Sequence, residues 1–188
     1  SIGLCASLGL LTGSQLSRLK EAGLTRYHNN LETSRRFFPQ VCTTHTYDDK
    51  IRVMEALRQA GLEICSGGII GLGESMEDRL DLALELRRQG VLYIPVNILN
   101  PIPGTPLEHN PPLALEEIRR TVALFRFTLP QAAICLAGGR SLLADHGRSI
   151  FQSGANAAIS GNLLTTCGID IDDDLKTLSE LGFETKMP

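Results

Sequence analysis

The chain lacks several features that would point to a membrane, to a nucleic acid or to a dinucleotide. No apolar run approaches the roughly 18 residues of a membrane span, and no signal-peptide pattern is present. Lysine and arginine form no cluster, and the net charge of −3 argues against a nucleic-acid surface. No Gly-x-Gly-x-x-Gly motif opens a helix after the first predicted strand, so a dinucleotide-binding fold has no positive support. We therefore expect no membrane partner and no nucleic-acid partner.

Cysteines are few and far apart. Five occur in 188 residues, an odd number that does not suggest a secreted disulfide framework. No two of them are close enough to form a Cys-x-x-x-Cys-x-x-Cys run. We interpret them as reduced thiols, each of which, taken alone, is more often a buried small residue than a metal ligand. They are Cys5, Cys42, Cys65, Cys135 and Cys167.

The chain has the composition of a globular protein, with 43% hydrophobic and 21% charged residues, and its length predicts one domain over residues 1–188. Strand-like runs alternate with helical patterns, which argues for a parallel sheet. Periodicity does not decide between an open sheet and a closed barrel. The predicted strands are residues 2–8, 26–30, 63–68, 93–99, 133–136 and 157–160, and the predicted helices are residues 12–23, 47–61, 75–89, 113–129 and 172–181.

Four unusual segments lie where predicted strands end, which is where α/β barrels place their chemistry. In the first, alternation along the strand puts His28, Asn30 and Glu32 on one face. In the second, glycines allow close approach of a ligand to the backbone. In the third, an amide at a strand end demands hydrogen-bond partners. The segments are residues 27–34, 67–74, 97–106 and 134–140.

Each of these residues also has a purely structural interpretation. The asparagines at 29 and 30 could cap backbone groups, and Asn97 could bond the proline-rich loop after it. Glu74 could cap the next helix, and Cys135 could simply pack in the core.

Together the four segments resemble the biotin synthase family of radical S-adenosylmethionine (SAM) enzymes, over about residues 5–183. The resemblance implies a (β/α)8 TIM-type barrel, an α/β fold, of which this chain would cover roughly strands 4–8 and a C-terminal extension at residues 157–188. Members hold a catalytic [4Fe-4S] cluster with a Cys-x-x-x-Cys-x-x-Cys run, which we expect upstream of Ser1. We therefore expect the C-terminal part of a larger enzyme, inactive in isolation.

The resemblance also implies an activity and its cofactors. Biotin synthases are sulfurtransferases of the radical SAM class that insert sulfur into dethiobiotin to give biotin. They use SAM, the [4Fe-4S] cluster and an auxiliary iron-sulfur cluster. From the same resemblance we expect an electron donor such as ferredoxin or flavodoxin, a homodimer and a cytoplasmic location.

By the family's pattern, five residues would bind SAM. Asn30 and Glu32 would contact the ribose, and the backbone around Gly68 and Ile70 would lie against the adenine. His45 stands where many relatives have an arginine for the SAM carboxylate, and a neutral histidine would donate only one, weaker hydrogen bond. The alternative for His45 is a solvent-facing loop residue.

Two residues would contact dethiobiotin by the same pattern. Asn97 would bind the cyclic urea, and His28 would face the same ring. His28 stands where the family has asparagine, and both residue types can donate and accept hydrogen bonds.

The auxiliary cluster is where this chain departs from the family. The resemblance implies Cys5 and Cys65 as two ligands, with a third cysteine upstream of Ser1. Cys135 stands where the common pattern Ile-Arg-Leu-Ala-Gly-Gly-Arg has the arginine ligand. A thiolate is anionic and soft, unlike a guanidinium, so we predict a differently built auxiliary cluster, four-iron rather than [2Fe-2S]. We interpret Cys42 and Cys167 as incidental.

Two other functions stay open at this point. One is another radical SAM enzyme, of the hydrogenase-maturase or methylornithine-synthase type. The other is a non-catalytic half-barrel that acts as a binding module, for which no Cys-x-x-x-Cys-x-x-Cys run would be found upstream.

Overall fold

The computed structural model describes residues 3–162 and 168–185, and Cys167 lies outside these ranges. Its strands form one sheet in which every pair is parallel. The sheet has the order β1-β2-β3-β5-β6-β7, and β4 also pairs with β5. The strands are β1 (Cys5–Ala6), β2 (Arg26–His28), β3 (Glu63–Cys65), β4 (Gly68–Ile70), β5 (Tyr93–Ile98), β6 (Ala133–Leu136) and β7 (Ala157–Ala158).

The third and fourth strands are two parts of one interrupted strand. Both pair with β5 in the same register, Cys65 with Tyr93 and Gly68 with Val96. That register places residue 67 opposite Pro95, which has no N–H to donate to a strand ladder. The predicted single strand at residues 63–68 is therefore split where proline interrupts the hydrogen bonds.

Helices connect the strands, and the sequence marks where several of them begin. Capping boxes open α1, α3 and α4 at Thr12, Thr46 and Ser75, each bonded reciprocally with the residue three positions on. The short α2 was not predicted. The helices are α1 (Gly13–Glu21), α2 (Phe38–Val41), α3 (Tyr47–Gln59), α4 (Met76–Arg88), α5 (Leu115–Thr128), α6 (Arg148–Phe151) and α7 (Ile171–Glu180).

The sheet has one covered face and one open face. Along β2, β3, β4 and β6, alternate side chains are buried in the core that the helices share, and their neighbours are at least partly exposed on the other side. The buried strand residues include Tyr27, Ile64, Ile94 and Ile134, which pack with Leu57, Leu86 and Phe125. This is a parallel α/β half-barrel, as predicted, and its open face is the inner surface.

The predicted first strand at residues 2–8 is shorter in the structure. Only Cys5–Ala6 is paired, because β1 has a neighbour on one side alone, and Leu4 and Leu8 beside it are exposed. No helix in the described part of the chain is long and apolar enough to cross a membrane.

Candidate functional site

Three cysteines lie on the open face of the half-barrel. Cys5 pairs with Arg26, Cys65 pairs with both His28 and Tyr93, and Cys135 pairs with Pro95. All three thiols are free, and none is fully buried. The sheet register thus brings the predicted cluster ligands to one face.

The three thiols also influence one another electrostatically. Burial, with smaller contributions from the charges of Cys5 and Cys135 and against the charge of Arg26, raises the pKa of Cys65 to about 12. Burial likewise raises the pKa of Cys135 to about 11 and, less strongly, that of Cys5. Since β3 lies between β1 and β6 in the sheet, Cys65 lies between the other two.

The donor set suits an iron-sulfur cluster better than a single ion. Within the described ranges, no three His, Cys, Asp or Glu side chains are close enough to hold one metal ion. A cluster spreads its ligands over several iron atoms, and thiolates are the ligands that such clusters take. The thiols of Cys5, Cys65 and Cys135 fit that chemistry.

His28 contacts one of the predicted cluster ligands. Its Nδ1 lies 3.4 Å from the Sγ of Cys65. Burial, assisted by the charge of Lys50, lowers the pKa of His28, so the ring is neutral at pH 7. A neutral ring bonded through Nδ1 presents Nε2 to a second partner.

Asn30 and Glu32 are held in place by the neighbouring strand. The Oδ1 of Asn30 accepts a hydrogen bond from the N–H of Gly67 at 2.9 Å, and its Nδ2 donates to Glu32 at 3.4 Å. Glu32 has a φ of 67°, which non-glycine residues rarely adopt, and its carbonyl accepts from the N–H of Ile69 at 2.8 Å. Burial raises the pKa of Glu32, while Lys50 and Asn30 oppose that shift.

The glycine-rich segment serves packing as well as access. A Cβ on Gly68 would lie 2.3 Å from the carbonyl oxygen of Glu32, so only glycine lets the two backbones approach. The side chain of Ile70 is 1% exposed and lies in the core, so only its backbone is available to a cofactor. Ile69, which sequence reasoning passed over, pairs with Asn97 on the open face. Ile69 follows Cys65 by four residues, so strand alternation places both side chains on the open face.

Asn97 joins two strand ends on the open face. Its Nδ2 donates to the carbonyl of Gly68 at 3.3 Å, and its Oδ1 accepts from the N–H of Gly138 at 3.0 Å. The side chain is half-exposed. These partners belong to two other strand ends and not to the proline-rich loop, so the structural alternative predicted for Asn97 differs from the bonds that it makes. The two bonds fix the amide at the mouth of the site.

The contacts of His45 are with α2 and its own loop, and none of them is with another predicted site residue. Its ring packs edge-on against Phe38 at 5.7 Å, and its Nδ1 lies 3.4 Å from Cys42 and 3.0 Å from Thr44. The cation that acts on both Glu32 and His28 is instead Lys50. No sequence signal distinguished Lys50, because it reaches the site only through the packing of α3.

Glu74 does not cap the following helix. One of its oxygens accepts hydrogen bonds from the N–H of Gly71 and from Arg79, whereas Ser75 caps α4. It therefore stabilises the end of the glycine-rich segment from within the core.

A parallel half-barrel with thiols and polar side chains at its strand ends is the architecture of the radical SAM class. The family model of the radical SAM superfamily matches residues 1–86, and that of the Biotin and Thiamin Synthesis associated domain matches residues 95–184. Each model matches less than half of the chain, and the two matched segments follow one another along it.

The chain is also similar to biotin synthases along nearly all of its length. It is 60% identical over 184 residues to the biotin synthase of Clostridium botulinum strain Langeland. That match covers 98% of this chain and 58% of the relative. The chain therefore spans little more than half the length of the curated relative that it matches.

Solved structures agree on the fold. The crystal structure of methylornithine synthase (PylB) superposes with a TM-score of 0.81 at 18% identity, covering 99% of this chain and 59% of that one. The maturase HydG of the [FeFe]-hydrogenase gives a TM-score of 0.77 at 19% identity, covering 96% of this chain and 44% of its own. At such identities the likeness shows the barrel architecture alone.

Proposed function

We propose that the intact protein is a biotin synthase, which inserts sulfur into dethiobiotin. The observation that carries the proposal is the set of three free thiols on the open face, with His28 bonded to the central one. The similarity to biotin synthases at 60% identity supports it. The likeness to PylB and HydG, at 18% and 19% identity, gives no comparable support for their activities.

The three thiols hold the auxiliary cluster in this proposal. Cys5, Cys65 and Cys135 lie on one face. Burial makes ionisation of all three thiols unfavourable, and binding to iron in place of the protons offsets that cost. We place the ligands of the catalytic [4Fe-4S] cluster elsewhere in the intact protein, because this chain contains no Cys-x-x-x-Cys-x-x-Cys run. When bound, SAM and the clusters supply the radical and sulfur chemistry.

SAM lies beside Asn30 and Glu32. The carboxylate of Glu32 accepts hydrogen bonds from the ribose hydroxyls, and Asn30 fixes its orientation. The backbone of Gly68 and Ile70, together with the side chain of Ile69, forms the surface for the adenine. Lys50 supplies positive charge near the SAM carboxylate, while His45 is held by Phe38 and Cys42.

Dethiobiotin binds between His28 and Asn97. The Nδ1 of His28 is engaged with Cys65, which leaves Nε2 for the ureido ring. The amide of Asn97 complements the donor and acceptor of a cyclic urea. From the same resemblance we propose an electron donor such as ferredoxin or flavodoxin, a homodimer and a cytoplasmic location.

The test is conversion of dethiobiotin to biotin by the intact, anaerobically reconstituted protein, followed by mass spectrometry. Cys65→Ala should abolish biotin formation while SAM cleavage continues, because only the auxiliary site loses a ligand. Cys42→Ala, which removes a thiol at the end of α2 that contacts His45 and belongs to no strand of the sheet, should leave the biotin yield unchanged. Wild-type biotin yield from Cys65→Ala would refute the proposal.

A further inference from the structure

Arg26 places a positive charge on the same face as the three thiols. It opens β2, and its Cα pairs with Cys5 of β1 on one side and with Glu63 of β3 on the other. Two residues further along β2, His28 pairs with Cys65. Arg26 and His28 therefore point to the same side of the sheet, beside two of the predicted cluster ligands.

The guanidinium of Arg26 is fixed from two directions. Its Nε and its NH2 group both lie 3.1 Å from the same carboxylate oxygen of Glu63. Its Cζ lies 3.3 Å from the ring centroid of Tyr93, the residue that pairs with Cys65 in β5. The planar guanidinium suits this combination of ion pair and ring stacking, which an ammonium group would reproduce poorly.

The charge of Arg26 reaches two of the thiols. The Cα of Arg26 pairs with Cys5, and the ring under its guanidinium belongs to Tyr93, which pairs with Cys65. The neighbouring carboxylate of Glu63 offsets part of this field. The side chain of Glu63 is 55% exposed and that of Arg26 24%, so solvent screens the carboxylate more than the guanidinium.

The other nearby arginine is committed elsewhere. Arg140 follows the strand that carries Cys135, but its guanidinium is bidentate with Asp174 at 2.6 and 2.5 Å and both side chains are buried. Its charge is therefore largely neutralised within that pair.

We propose that Arg26 is the counter-charge of the auxiliary cluster, a positioning residue whose guanidinium raises the reduction potential of a cluster held by Cys5, Cys65 and Cys135. The inference rests on the proposed function, because it requires that cluster. A fixed positive charge favours the more negative, reduced state, and net charge near a cluster is one of the terms that set its potential. Cys135 provides a thiolate where the family has an arginine, and Arg26 provides a guanidinium near the cluster from a different strand, β2.

The test is a redox titration of the auxiliary cluster in the intact, anaerobically reconstituted protein, followed by EPR and Mössbauer spectroscopy. Arg26→Gln should shift the balance between reduced and oxidised cluster about tenfold toward the oxidised form, or about 59 mV for a one-electron couple. Arg26→Lys keeps the charge and should stay near the wild-type potential. Glu63→Gln removes the opposing charge and should shift the potential in the other direction.

Arg35→Gln is the matched control. Arg35 also lies over a tyrosine, with its Cζ 4.7 Å from the Tyr47 ring, and it pairs with Asp48 at 2.5 Å. Its charge acts on Tyr47 and Glu85, not on the thiols of the open face. The variant should leave the cluster potential unchanged.

Arg26→Gln and Glu63→Gln should shift the cluster potential in opposite directions, which separates a charge effect from a structural one. Arg26→Gln and Glu63→Gln break the same ion pair, so shifts in the same direction would overturn the proposal, as would an unchanged potential in Arg26→Gln. Loss of the auxiliary cluster in Arg26→Gln with retention in Arg26→Lys would support it, and loss in both would overturn it. A wild-type protein without a second cluster would refute the proposed function and the inference together, before any variant is made.

Discussion

At the scale of single residues, the half-exposed thiols differ in their electrostatic surroundings. Burial raises the pKa of Cys65 to about 12 and of Cys135 to about 11. Burial opposes ionisation of Cys42 as well, but hydrogen bonds from Thr44 and His45 bring its pKa below the ordinary value. The thiolate is the nucleophile, so Cys42 should react faster than Cys135, and Cys135 faster than Cys65.

In the cluster-free protein, we therefore expect iodoacetamide to modify Cys42 before Cys65 and Cys135 at pH 7. Cys65 and Cys135 should react slowly and accelerate as the pH rises, because their thiolate fractions are still growing at pH 9. Peptide mass spectrometry of timed reactions gives the three rates, and denatured protein is the control. Equal rates for Cys42 and Cys65 at pH 7 in the folded protein would contradict the assigned environments.

His28 provides a second prediction at this scale. We expect His28→Ala to raise the KM for dethiobiotin about tenfold, the effect of losing one buried hydrogen bond of about 1.4 kcal/mol. His28→Asn, which restores the family residue, should stay closer to wild type. Since burial lowers the pKa of His28, the KM of the wild type should not change between pH 7 and 8, where the ring is already neutral. Steady-state kinetics of the intact enzyme measure both effects.

Sequence reasoning was most successful where a residue's role depends on local alternation. Strand assignment placed Cys5, Cys65 and Cys135 toward the interior. The period of two that grouped His28 with Asn30 and Glu32 does not extend that far, because β2 ends at His28 and Glu32 has a positive φ. Sequence reasoning missed the packing of His45 on Phe38 and the approach of Lys50, because both depend on how α2 and α3 dock. The same period of two places Arg26, two residues before His28, on the open face as well.

At the scale of elements, buried charge couples two helices to the glycine-rich segment. Arg79 in α4 donates to Glu74 at 2.7 Å and to Glu117 in α5 at 2.8 Å. The side chains of Arg79 and Glu74 are 2% and 1% exposed. Removing one partner of such a pair leaves the other charge buried without compensation.

We expect Arg79→Met to lower the free energy of unfolding of the intact protein by about 3–5 kcal/mol. Arg52→Met is the control, because Arg52 pairs with Asp49 on the exposed surface of α3 and is 67% exposed. The urea midpoint of Arg52→Met should equal that of the wild type. Urea denaturation followed by circular dichroism measures both, and equal midpoints for Arg79→Met and wild type would show that the buried pair is dispensable.

The last described helix, α7, is attached through a second buried pair. Asp174 receives both NH groups of Arg140 and the hydroxyl of Ser160 at 2.6 Å. We expect Asp174→Ala to speed amide hydrogen exchange across residues 171–180 while β5 stays protected. Glu180→Gln, which breaks the exposed pair with Arg148, should leave α7 protected. Wild-type exchange in Asp174→Ala would mean that apolar contacts alone hold α7.

Helix starts were predictable because capping residues act within one turn, as at Thr46 and Ser75. The break between β3 and β4 was not, since it arises from Pro95 on the neighbouring strand. Where a neighbouring strand determines the end of an element, that end can be located only once the strand register is known.

At the scale of the whole molecule, the alternation of strands and helices predicted a parallel sheet but not whether it closes. The resemblance to biotin synthases supplied that choice, and the half-barrel, with a covered outer face and an open inner face, confirms it. The three thiols, His28 and Arg26 meet on that inner face only because five separate strands align in register.

The measurement that tests the account most directly is Mössbauer and EPR spectroscopy of the intact, anaerobically reconstituted protein, as wild type and as Cys135→Ala. We predict a second iron-sulfur cluster in the wild type that is lost or altered in the variant, because Cys135 is one of its ligands. A second cluster with unchanged spectra and iron content in the variant would contradict the role of Cys135. A single cluster in both proteins would contradict sulfur insertion itself.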